Sequence, residues 1–165
     1  MLQNIPSRRV LNFAGFAVCC CLMGFALFAQ HVLLLDPCPL CVLQRAAVIS
    51  LGIVFLISAL HNPAGGVRIV YAVLLGLAAL GGAGVAGWHA WLQQLPPDKV
   101  PACGPGLDYM LENFPLADAL KMVFSGSGEC AEVVWQFLGL SMPAWVLLWM
   151  LGLGSAAVWN NLRSS

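Results

Sequence analysis

The stretch DPCPLCVLQRAAVISLGIVFLISAL, Asp36–Leu60, decides the fold. A helix needs about 20 mostly apolar residues to cross a bilayer. Val42–Leu60 meets that requirement and carries one charge, Arg45. Immediately ahead of it, Cys38 and Cys41 sit two residues apart between Pro37 and the apolar run. The segment therefore reads as a membrane-spanning helix with a pair of thiols at its edge.

Three further stretches have the same character: Val10–Leu35, Ile69–Leu92 and Met142–Trp159. Pro143 falls in the first turn of the last one, where a missing N–H costs nothing. Backbone groups in lipid must be paired within their own segment, which makes all four helices. The whole composition agrees. Of 165 residues, 61% are hydrophobic and only 8% are charged, against about 25% charged in a soluble domain. The formal net charge is zero, so no basic excess points to nucleic acid. Arg8 and Arg9 before an apolar stretch imitate a signal peptide. The stretch that follows is longer than the roughly 7–15 residues of a cleavable signal core, and it reads as a retained span.

Residues 1–165 are expected to form one membrane domain. The connections 36–41 and 61–68 are short, which makes successive helices antiparallel neighbours in a four-helix bundle. The long connection 93–141 is the only large polar region. Arg8, Arg9, Arg68 and Arg163 fall on one side of the membrane, and the positive-inside rule makes that side, with both termini, cytoplasmic. Residues 36–41 and 93–141 then share the outer side. Small residues recur at Ala79, Ala83 and Gly87, and at Gly152 and Ala156, a spacing that permits close helix contact in lipid. Within the long loop, Leu116, Leu120, Val123 and Phe124 form one apolar stripe on a short amphipathic helix. That stripe suits the interface plane and packing against the loop itself equally well.

The seven cysteines divide by position. Cys19, Cys20 and Cys21 lie midway along the first span, where a thiol is a small hydrophobe. Cys38, Cys41, Cys103 and Cys130 all lie on the outer side. Zinc sites usually take two close pairs, and here the second pair is widely spaced with no histidine beside it in sequence, which disfavours a metal. A staple is a sufficient account of Cys103 with Cys130 taken alone. It accounts poorly for Cys38 with Cys41, whose tiny loop is already pinned by Pro37 and Pro39 and has little entropy left to lose. Thiol–disulfide exchange accounts for it better. Cys41 adjoins the N-terminus of a helix, with its partial positive charge. Arg45 lies one turn on, over the same face. Both favour the thiolate, the species that attacks and leaves. A charge one turn inside a span is itself a mark of function.

The segment AQHVLLLDPCPLCVLQR, with P-C-x-L-C and an arginine four residues on, resembles the DsbB family of disulfide bond formation proteins. So do VFSGSGECAEVVWQFLGLSMPAW and the WHAW at the end of the third span, and the likeness runs over nearly the whole chain. The resemblance implies an inner-membrane thiol:quinone oxidoreductase. Such a protein reoxidises DsbA, a periplasmic thioredoxin-fold protein, and passes electrons to ubiquinone or menaquinone. Carried onto this chain, it implies that the DsbA thiolate attacks Cys103, that Cys130 is released and attacks Cys38, and that Cys41 becomes the leaving thiolate. It places the quinone near Cys41 and Arg45, with His89 close by. A relative serving a dedicated DsbA-like partner, or a non-catalytic scaffold with stapled loops, is the competing expectation. His31 and His61 are given no catalytic part. Trp88, Trp91, Trp145 and Trp159, near span ends, suit an aromatic belt.

Overall fold

A computed structural model describes residues 6–100 and 107–163 of the chain. Four long helices, α1 (Arg8–His31), α2 (Pro39–His61), α3 (Val67–Leu92) and α7 (Met142–Leu162), are each long and apolar enough to cross a membrane. Between α3 and α7 lie a 3₁₀ turn (Pro97–Lys99) and the short helices α4 (Leu107–Asn113), α5 (Leu116–Ser125) and α6 (Gly128–Ala131). A two-stranded hairpin follows, β1 (Gln136–Phe137) paired antiparallel with β2 (Leu140–Ser141). The expected all-α, antiparallel four-helix bundle is what the chain forms. The hairpin, α4 and α6 are additions to the single loop helix that periodicity indicated.

Among the boundaries that differ from the hydropathy reading, two matter to the site. The first helix ends at His31, not Leu35. The Phe28 carbonyl accepts from the N–H groups of both Val32 and Leu33, and the Ala29 carbonyl accepts from Leu35. Leu34 takes a left-handed conformation, φ 54°, so the chain wraps off the helix end and satisfies its last carbonyls as it goes. The second helix begins at Pro39, not Val42. Cys38 is its N-cap and Pro39 its first residue, a position where the fixed φ of proline suits helix entry. Cys41 therefore sits inside the first turn of α2, not ahead of it.

The bundle interior mixes large and small apolar side chains, and its outer faces are apolar too. Leu51, Phe55, Leu75, Ala79 and Met150 form its interior with Cys19, while Ile49, Ile53, Ile57, Leu74, Leu77 and Leu80 are exposed on the outer faces, as suits lipid. On α3, Ala79 and Ala83 are buried as expected. On α7 the expected stripe of Gly152 and Ala156 is instead exposed. Met150, Gly154, Ala157 and Asn161 face inward in its place. Apolar side chains surround α7 on all sides, so hydropathy alone could not set its rotation. Gly154 marks the true contact, since a Cβ there would lie 2.6 Å from the Ala79 Cβ. Cys19 is buried, and Cys20 and Cys21 are exposed on the span surface.

At one end of the bundle a buried amide cluster joins three helices. Asn12 Nδ2 donates to Ser58 Oγ at 2.9 Å and to Asn161 Oδ1 at 3.4 Å. Asn160 and Asn161 donate back to Asn12 Oδ1 at 3.2 and 3.3 Å. Asn160 also donates to the Arg8 carbonyl and Arg68 to the Arg163 carbonyl, which places Arg8, Arg68 and Arg163 at this same end. Interhelical hydrogen bonds of this kind contribute about 0.6 kcal/mol each in a membrane.

The other end carries the cysteines. There Leu40, Leu92, Met110, Ala119, Val123 and Cys130 pack around Cys38. The amphipathic stripe of α5 is split: Val123 joins this cluster while Leu116, Leu120 and Phe124 remain exposed. In the hairpin, Leu138 and Gly139 both have positive φ, the backbone that a tight two-residue turn requires.

The close approach of α3 and α7 yields a direct test. Gly154→Ala should destabilise the bundle by about 1–3 kcal/mol, because the facing atom is a Cβ that cannot rotate away. Gly152→Ala, which meets nothing within 4 Å, should not. Thermal unfolding in detergent, followed by circular dichroism, separates the two.

Candidate functional site

The cysteine end is assembled from four elements, beginning with the start of α2. The Cys38 Sγ accepts from the Cys41 backbone N–H at 3.4 Å and lies 3.1 Å from the Cys41 Sγ. The cap thus folds the two thiols over the first turn, against the partial positive charge of the helix terminus.

The last turn of α3 supplies His89, which is 2% exposed. Its ring is fixed at both nitrogens. The Gln44 amide donates to Nδ1 at 3.0 Å, and Nε2–H donates to the Cys130 carbonyl at 3.0 Å. Nε2 also lies 3.7 Å from the Cys38 Sγ.

The third element is α6, which carries Cys130, fully buried. Its placement depends on Gly126, at φ 80°, where a Cβ would lie 2.6 Å from Leu92. Ser127 caps the turn, its Oγ 3.6 Å from the Cys130 Sγ. The Cys38 and Cys130 sulfurs and His89 Nε2 all lie within 4.8 Å of one another. The Cys130 thiol is held well above its ordinary range, first by its hydrogen bond to Cys38 and then by burial. Cys103 lies outside the described residues.

Arg45 completes the site from the second turn of α2. Its guanidinium donates to Gln30 Oε1 and, at 3.1 Å, to the Ala26 carbonyl, both on α1. It is therefore anchored across the helix interface and does not reach along the span to the headgroups.

Two cavities meet at these side chains. The first, of about 330 Å³, is walled by Phe25, Trp135, Trp145 and Trp149, with Cys41 and Arg45 at its polar end. Trp135 stacks edge-on against Phe25 across the cavity mouth, 5.5 Å between centroids. Trp145 donates to the Phe137 carbonyl at 3.0 Å, which fixes its ring in this wall. The second cavity, of about 360 Å³, is lined by Cys38, Cys41 and His89 together with Asp36, Glu129 and Glu132. Cys41 lines both. His89, expected close to the quinone, lines the second cavity beside Cys38 and Cys41.

Of the sequence candidates, Cys38, Cys41, Cys130, Arg45 and His89 converge on this one end. Gln44 and Gln30 were not singled out, although each is a polar residue inside or at the end of an apolar run. That was the signal available for them. The first cavity suits an aromatic, largely apolar molecule with polar groups at one end: three indoles, two phenyl rings, and donors from Arg45 beside a thiol. A quinone has that character, and Arg45, Gln44 and Cys41 are the side chains that would hold its head.

The comparisons with known proteins agree with this geometry. The family described as "Disulfide bond formation protein DsbB" matches residues 8–160. The chain is 52% identical over 165 residues to "Disulfide bond formation protein B" of Methylococcus capsulatus, covering 98% of this chain and 100% of that one. It is 52% identical over 158 residues to the protein of the same name from Nitrosococcus oceani, covering 96% and 94%. To that of Saccharophagus degradans it is 49% identical over 164 residues, covering 99% of each. A multi-pass membrane protein with thiols gathered at one end of its bundle, this chain belongs to the DsbB family of disulfide bond formation proteins.

Proposed function

We propose that this chain is an inner-membrane thiol:quinone oxidoreductase. It reoxidises a periplasmic DsbA-type thioredoxin-fold protein and passes the electrons to a respiratory quinone, ubiquinone or menaquinone, through two disulfides. Both termini and the arginine end are cytoplasmic, and the cysteine end is periplasmic, in keeping with the positive-inside rule. The observation that carries this reading is the position of Cys41, which alone among the described cysteines lines both the apolar cavity and the acidic one.

In the relay, the DsbA thiolate attacks Cys103 of a Cys103–Cys130 disulfide and the Cys130 thiolate leaves. Cys130 then attacks Cys38. A Cys38–Cys130 bond forms, the Cys38–Cys41 bond breaks, and Cys41 departs as thiolate. The packing of Cys130 against Cys38 supports this order. The N-terminus of α2 favours the departing charge, and Arg45 adds a fixed cation in the same cavity. His89, with Nε2–H on the Cys130 carbonyl and near the Cys38 sulfur, orients α6 for exchange. Gln44 holds that ring from behind.

When bound, the quinone supplies an acceptor for two electrons and two protons. The energetics require such an acceptor. DsbA stands near −120 mV, whereas the glutathione pool lies at about −220 to −260 mV and would reduce it instead. On the side of the first cavity the Cys41 sulfur meets largely apolar walls, Phe25 and Trp135 among them.

In detergent with quinone and reduced DsbA, Cys41→Ser should abolish quinone reduction while leaving Cys103 open to attack. Continued turnover would overturn the assignment. Arg45→Ala should raise the KM for quinone by about tenfold or more, the loss of a charge-assisted hydrogen bond, and leave the stopped-flow exchange with DsbA within about twofold. Equal losses in both half-reactions would make Arg45 a folding residue.

A further inference from the structure

We propose that the fully reduced chain binds a thiophilic divalent cation such as Zn²⁺ through Cys38, Cys130 and His89, with Cys41 as the fourth ligand, and that this capture arrests the protein in its reduced state. The binding stands on geometry alone. Only the arrest rests on the relay described above.

Three of the four ligand atoms are already gathered, and the fourth adjoins one of them. Cys38 Sγ, Cys130 Sγ and His89 Nε2 lie within 4.8 Å of one another. The Cys38 Sγ to His89 Nε2 distance is 3.7 Å, and the Cys41 Sγ is 3.1 Å from the Cys38 Sγ. Tetrahedral zinc, with bonds of about 2.3 Å to sulfur and about 2.0–2.1 Å to nitrogen, sets its ligand atoms roughly 3.5–3.8 Å apart. Three cysteines and one histidine, two of the cysteines in C-x₂-C spacing, form a recurrent zinc set. Sequence spacing disfavoured such a site for want of a histidine, and the fold supplies one from α3.

Two independent features point the same way. The second cavity leads to these atoms and is lined by Asp36, Glu129 and Glu132, with no Lys or Arg among its described lining residues. A carboxylate-lined cleft concentrates cations at its base. Behind the imidazole, Gln44 contacts Nδ1 at 3.0 Å. Outer partners of this kind fix the tautomer of a metal-ligating histidine.

The chemistry balances without electron transfer. The cation displaces the thiol protons of Cys38, Cys41 and Cys130, which leave to solvent. The imidazole proton moves to Nδ1, where a half-turn of the Gln44 amide presents its oxygen as acceptor. Oxidation of Cys38 by either neighbour removes two of the four ligands, so the site exists only when all three thiols are reduced. The cation is thus an inhibitor that competes with reoxidation, not a resident cofactor.

The test uses the full chain in detergent, reduced and freed of reductant, with Cys103→Ser so that the other loop cysteine cannot contribute. It is titrated with Zn²⁺ alone against a chromophoric chelator, and with Co²⁺ alone to read the visible bands of a tetrahedral thiolate complex. One equivalent should bind. Affinity should fall about a hundredfold or more in Cys130→Ser and about tenfold or more in His89→Gln, the range over which site residues control metal affinity. The oxidised Cys103→Ser protein, which keeps the fold without any further substitution, should not bind. Absence of a tetrahedral cobalt spectrum, or equal binding by the oxidised protein, would overturn the proposal. Because binding is read without turnover, persistent activity of Cys41→Ser would sink the relay and leave the metal site standing.

Discussion

The packing of Cys130 against Cys38 at the N-terminus of α2 is the contact on which the rest depends. It joins a loop that lies outside the bundle to a thiol pair held by a spanning helix. Several local features exist to make it. Gly126 takes a left-handed turn under Leu92, Ser127 caps α6, and His89 binds the Cys130 carbonyl. Burial of Cys130 costs little while it remains a neutral thiol with Cys38 and Ser127 as partners, and the same burial would penalise a free thiolate. Reactivity at Cys130 is thereby tied to release from a bond rather than to its resting charge.

The two ends of the bundle divide the work. At the arginine end, the amides of Asn12, Asn160 and Asn161 draw α1 and α7 together. At the cysteine end the same two helices are parted by the indole-walled cavity. Arg45 spans from α2 to α1 there, which keeps a charge beside that cavity without exposing it to lipid. The amide clasp at one end and the parted helices at the other leave Cys41 facing two cavities, one apolar and one lined by carboxylates.

Much of this was legible in the sequence because membrane helices announce themselves. All four spans, their antiparallel order, and the convergence of Cys38, Cys41, Cys130 and Arg45 on one end follow from hydropathy and spacing. The first helix was read four residues too long, since Val32–Leu35 are apolar and only the backbone turn at Leu34 ends it. The second was read three residues short, because Cys38 acts as a cap that hydropathy does not register. The rotation of α7 was misjudged for want of a polar face. The Gln44–His89–Cys130 chain was beyond reach: its members are distant in sequence, and each is unremarkable until helix rotation brings them together.

The central claim is that Cys130 reaches Cys38 directly. It is tested most simply in a chain carrying both Cys41→Ser and Cys103→Ser, oxidised mildly in detergent and mapped by mass spectrometry without reduction. A single intramolecular Cys38–Cys130 disulfide, formed in nearly every molecule at dilution, is the predicted result. Two alkylatable thiols after oxidation, or cross-links only between molecules, would contradict it.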